Sequence, residues 1–128
     1  MFRLLLVDDD PDILAQYETA LACVGYDLVM ANSTKETRQK LKTARPDLAI
    51  VDVMMENGIP GFDLAREIHH EYPKIPILMI SALNQELNAP MKIEPDEKLP
   101  IFKFLDKPIS SLTLRVEIEN ALRSTGSA

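Results

Sequence analysis

Short apolar runs and longer amphipathic stretches alternate five times along this chain. The runs are residues 2–7, 26–31, 48–51, 77–80 and 101–105. Runs of this length, apolar at nearly every position, predict strands buried on both faces. A helix is predicted over residues 12–24, where Leu14, Tyr17, Leu21 and Val24 recur at three- and four-residue steps. Pro11 suits its first turn and Gly25 its end. Ser33 or Thr34 caps a polar second helix reaching Thr43, with Leu41 its main apolar residue. Arg45-Pro46-Asp47 forms the turn into the third strand. A third helix over 62–72 turns Phe62, Ala65 and Ile68 inward, with Tyr72 a further candidate. Ser110 and Ser111 cap a last helix, with Leu112, Val116, Leu122 and either Ile118 or Glu119 along it. Strands alternating with helices predict an α/β fold, a parallel sheet covered by helices.

One stretch breaks the pattern. Across residues 84–100, Pro90, Pro95 and Pro100 interrupt any long helix, leaving room for one short turn at 85–89.

The chain's 128 residues suit a single domain, expected to span 1–124, with 125–128 a frayed tail or the start of a linker. The net charge of −6 argues against nucleic acid or an anionic membrane as a partner, since both call for basic patches. Cys23 is the only cysteine, so no internal disulfide can form. A cytoplasmic location is expected, with Cys23 a small core residue beside Leu21 and Val24. No apolar span is long enough for a transmembrane helix. Met1-Phe2-Arg3 leads directly into a strand, so no signal peptide is expected.

Candidate chemistry sits where the runs stop. Leu4-Leu5-Leu6-Val7 ends in Asp8-Asp9, and Leu48-Ala49-Ile50-Val51 ends in Asp52. In a parallel sheet these three carboxylates share the carboxyl edge, where open α/β folds bind ligands. Like charges about 4 Å apart repel by roughly 4 kcal/mol per pair at an effective dielectric near 20. A hard cation such as Mg2+ relieves that repulsion and keeps positions open for a phosphate. A carboxylate is also a competent nucleophile toward a phosphoryl group. Asp10 and Asp12 read as solvated or capping residues. His69 and His70 are adjacent on a helix, face different ways and do not suit a shared metal.

Four further features appear in a fixed order: Asp47-Leu-Ala-Ile-Val-Asp52, Ile80-Ser81-Ala82, Phe104-Leu105-Asp106 and Lys107-Pro108. Together with the acid pair, they make the chain resemble the receiver domain of two-component response regulators over nearly its whole length. The resemblance implies a doubly wound, five-stranded parallel sheet of the (βα)5, flavodoxin-like type, here with an irregular fourth-helix region. It implies that Asp52 takes a phosphoryl group from a sensor histidine kinase or phosphotransfer protein. Asp8, Asp9, Asp52 and the Met54 carbonyl would hold Mg2+. Lys107 would neutralise the phosphoryl group, Ser81 would bind it, and Phe104 would move with the Ser81 loop. The Lys107-Pro108 bond would be cis. The effector surface would lie on residues 87–105 and the last helix. Such a domain is a switch rather than an enzyme with its own substrate.

Two departures from that pattern stand out. Glu56 occupies the usual proline position after Asp52, and Gly61 comes one residue late, as if one residue were inserted. Lys107 lies farther than usual beyond Ser81, and the segment from Leu87 to Pro100 is expected to form an irregular, partner-specific surface. These departures motivate an alternative, a non-phosphorylated interaction scaffold. A phosphatase of the haloacid-dehalogenase type would carry a second Asp two residues beyond the nucleophile, where this chain has Met54. Met54 and Leu83 are apolar neighbours of the site, which favours a long-lived phosphoaspartate.

Overall fold

Alternate residues of each central strand enter opposite cores, which explains strands without polar positions. A computed structural model describes residues 1–55, 60–82 and 94–125. In chain order these form β1 (Arg3–Val7), α1 (Pro11–Leu21), β2 (Asp27–Ala31), α2 (Thr34–Ala44), β3 (Leu48–Val51), α3 (Pro60–Glu71), β4 (Ile77–Ser81), β5 (Lys103–Asp106) and α4 (Ser111–Ser124). All strand pairs are parallel, in the order β2-β1-β3-β4-β5. Leu4, Leu6, Leu48, Ile50, Leu78 and Ile80 pack under α1 and α4. Leu5, Val7, Ala49, Val51, Ile77 and Met79 pack on the other side, against α2 and α3. The strand order reverses direction between β1 and β3, so a crevice opens at their carboxyl ends.

Local chemistry sets the helix ends. Asp10 is the N-cap of α1, its side chain accepting from the Asp12 amide, and Pro11 is the first helical residue. Ser33 and Ser110 cap α2 and α4 in the same way. The first helix ends at Leu21, not Val24, and a turn leads to Gly25 at φ +91. That early stop overturns the expectation for Cys23. It lies on the turn and is exposed, and Val24 is exposed with it.

The last helix also turns differently from its apolar labels. Leu114, Glu117, Ile118, Ala121 and Leu122 face inward, while Leu112 and Val116 are 72% and 44% exposed. The buried Glu117 carboxylate takes a hydrogen bond from Asn120 on Oε1 and lies 2.7 Å from the Lys103 ammonium on Oε2. Among the described residues no hydrogen bond of good geometry reaches that second oxygen, so the Lys103 contact is chiefly one of charge.

β5 begins two residues later than its apolar run. Ile101 donates to Leu99 in a turn, Phe102 donates to Ile77, and the ladder proper starts with Lys103 opposite Leu78. Before it, the Asp96 side chain accepts from the Lys98 and Leu99 amides, and Arg66 of α3 donates to the Lys98 carbonyl. Leu99 and Ile101 are buried in the α2–α3 core. The end of the supposed irregular surface is therefore anchored to the domain. Its earlier part, the short turn at 85–89, Leu83, and the Glu56 departure all lie outside the described residues.

Candidate functional site at the carboxyl edge

Backbone ladders carry the acidic residues to one place. Asp8 follows β1 and its amide donates to Ala31. Asp52 follows β3 and its amide donates to Val7 at 3.2 Å. Each acid then folds its own loop with one carboxylate oxygen. Asp8 Oδ1 accepts from the Asp10 amide at 3.0 Å, and Asp52 Oδ1 accepts from the Met54 amide at 3.1 Å. These are Asx turns, and they leave both Oδ2 atoms pointing to a common partner.

That partner is Lys107. Its ammonium donates to Asp8 Oδ2 at 2.9 Å and to Asp52 Oδ2 at 3.1 Å. Strand register brings it there. Ser81 pairs with Asp106 across β4 and β5, and the Lys107 amide donates to the Ser81 carbonyl at 2.9 Å. The Lys107-Pro108 bond that follows is cis, as the resemblance implied. Ser81 is fully buried, ends β4 and lines the same cleft. Phe104, opposite Met79 in the ladder, is half-buried against the α2–α3 core.

Asp9 completes the cluster from an exposed position. One oxygen from each of Asp8, Asp9 and Asp52 lies within 4.8 Å of the other two. One ammonium faces three carboxylates, a surplus of negative charge. Burial raises the Asp8 pKa from 3.8 to about 6; the Lys107 hydrogen bond and the Asp10 amide oppose that rise, and the Asp52 charge adds to it. Burial of Lys107 acts to lower its pKa, yet its hydrogen bond to Asp8 and the two carboxylate charges outweigh this and raise it. An all-oxygen set with excess charge at an open edge fits a hard divalent cation. The cleft around it measures about 1040 Å³ and also contains Met54 and Tyr17.

The sequence reading missed Tyr17 and did not foresee what Gly61 packs against. Gly61 packs directly on the site loop, its amide donating to Val53 at 3.1 Å. A Cβ there would collide with the Asp52 carbonyl and lie 2.6 Å from Val53 Cα, so only glycine fits. Tyr17 belongs to the apolar stripe of α1 but also lines the cleft. Periodicity identifies its buried face and says nothing about what its hydroxyl meets. His69 and His70 are exposed at the end of α3, away from the cleft's lining residues.

The model of the response regulator receiver domain matches residues 4–119. The chain belongs to this family. Receiver domains are signalling switches of two-component systems and bind Mg2+ at an acidic pocket. Response regulator protein PilR of Pseudomonas aeruginosa is 33% identical over 121 residues, covering 94% of this chain and 26% of that protein. The alkaline phosphatase synthesis transcriptional regulatory protein PhoP of Bacillus subtilis is 27% identical, covering 94% and 48%. This receiver thus spans about a quarter to a half of the curated relatives it matches. A CheY-like receiver domain structure from Methanospirillum hungatei superposes with a TM-score of 0.81 at 21% identity, covering 98% of this chain and 97% of that one, and so shares the fold.

Proposed function

We propose that this receiver is a phosphorylatable switch in which Asp52 accepts a phosphoryl group from the phosphohistidine of a sensor histidine kinase or phosphotransfer protein. The observation that carries this reading is the Lys107 ammonium held between Asp8 and Asp52 in a cluster of three carboxylates. An Asp52 oxygen attacks phosphorus, the O–P bond forms as the P–N bond breaks, and the electron pair leaves with the imidazole nitrogen. Asp8, Asp9, Asp52 and the Met54 carbonyl would hold Mg2+, which would neutralise charge on the transferring group. Catalysis here is positioning and electrostatics rather than new covalent chemistry.

Lys107 is 15% exposed and already bridges the acids, so its charge is in place before phosphate arrives. A phosphorylated Asp52 carries about −1.5 to −2 charge and strong acceptor oxygens. Lys107 redirects its ammonium toward them, and the buried Ser81 hydroxyl donates to them. Ser81 ends β4, next to the Phe104 strand, so its movement is transmitted to β5 and the α4 face. That face, with the exposed residues 94–98 before β5, is the surface offered to an effector.

Intact mass after incubation with acetyl phosphate tests this reading, with and without Mg2+, on wild type and Asp52→Asn. A Mg2+-dependent gain of one phosphoryl group, absent from the variant, is expected. Absence of any gain, also with a phosphohistidine donor, would leave a non-phosphorylated interaction scaffold as the better account.

A further inference from the structure

Tyr17 is 5% exposed, and its ring fills the apolar space between α1 and the sheet. A phenylalanine would fill that space as well. Its hydroxyl has no protein hydrogen-bond partner among the described residues. That oxygen is open to solvent, since among the described residues Glu117 Oε2 is the one fully buried side-chain polar atom without a hydrogen-bond partner. Two observations place this side chain at the acidic cleft. Tyr17 lines the cleft that contains Asp8, Asp52 and Lys107. Its phenol also feels those carboxylates. Burial, then the Asp8 and Asp52 charges, push its pKa above the usual tyrosine range, so it stays protonated and can donate. Helical side chains lean toward the helix N-terminus, which for α1 is the acidic edge of the sheet.

We propose that Tyr17 is a positioning residue for the cation site, its hydroxyl ordering the water that lies between α1 and the Asp8 carboxylate. This inference rests on the receiver reading above. Asp8 already spends one hydrogen bond per oxygen on Lys107 and the Asp10 amide. A carboxylate has about four lone-pair sites, so acceptor capacity remains for a cation and for ordered water. Mg2+ keeps several of its own waters, and water on a cation donates. The phenol oxygen accepts from such water, and its O–H donates onward, so one hydroxyl fixes solvent around the Asp8 side of the site. Outer partners of metal ligands commonly change affinity by about 10- to 100-fold when removed.

The test is Mg2+ titration by calorimetry on wild type and Tyr17→Phe, with urea unfolding of both in the absence of Mg2+. The variant loses only the hydroxyl and keeps the packing. Expected is a roughly 10-fold loss of Mg2+ affinity, with an unfolding midpoint equal to or above that of wild type. Mg2+ affinity within about twofold of wild type, a small fraction of that expected loss, would overturn the inference. So would a drop in the unfolding midpoint without loss of affinity, since that marks a purely structural hydroxyl. Wild type that binds no Mg2+ would instead overturn the metal-dependent receiver reading, and this inference with it.

Discussion

Lys107 carries the electrostatic balance of the site on one side chain. Its two contacts span residues 99 and 55 positions away in sequence. Removing it by Lys107→Met leaves Asp8 and Asp52 facing each other under low solvent exposure. Breaking a buried ion pair commonly costs about 3–5 kcal/mol. Here roughly 2 kcal/mol is expected at neutral pH, because Asp8 can take up a proton and relieve part of the repulsion. Urea unfolding measures it, and Mg2+ is expected to restore part of the loss. A variant as stable as wild type would show that the bridge contributes little to the fold. Asp8, Asp9, Asp52, Ser81, Lys107 and Pro108 could be singled out from type and order along the chain. Tyr17 could not, and Gly61 stood out only as a glycine one residue late. A tyrosine on a buried stripe reads as core, and the spacing of a loop glycine does not say what it packs against. Only the packed structure puts one beside the acids and the other against the Asp52 backbone.

Among the elements, strand and helix existence followed from the apolar runs, and β3 matched its run at both ends. Boundaries slipped where local and tertiary forces competed. Cys23 and Val24 continue the apolar periodicity of α1, yet the helix stops at Leu21 and the chain must turn toward β2. Along α4 the inward face was decided by contact with α1 and the sheet, so Leu112 and Val116 point outward. The expected consequence is a contrast between neighbours. Leu114→Ala should cost about 2–4 kcal/mol, as for other buried leucines. Leu112→Ala should change stability by less than about 0.5 kcal/mol, as surface substitutions do. Chemical denaturation of both variants measures the difference. Equal losses would mean that the α4 face is assigned wrongly. The two exposed apolar side chains remain available on the surface proposed for the effector.

At the scale of the whole molecule, the acidic edge couples stability to pH and to cations. Asp8 holds its proton more tightly folded, at about 6, than at its ordinary value of 3.8. The stability this contributes is fully present below about pH 4 and is lost as pH rises through about 6. Mg2+ requires the ionised carboxylate, so its stabilisation grows over the same window in which the proton's is lost. At ten times its dissociation constant, a cation adds about 1.4 kcal/mol. Thermal unfolding at about pH 5 and about pH 7.5, with and without Mg2+, measures both effects. Wild type is expected to gain stability from Mg2+ mainly at the higher pH, and Asp8→Asn at neither. An equal Mg2+ effect at both pH values would contradict the buried, raised Asp8. The fold class, the strand order's acidic edge and the family were legible in the linear sequence. Strands buried on both faces must be apolar throughout, and the acids follow those strands directly. The tertiary structure alone decided which helix faces point inward, where α1 stops, which cleft Tyr17 lines and what Gly61 touches. Those outcomes depend on contacts between residues far apart in the chain, which periodicity along one segment does not encode.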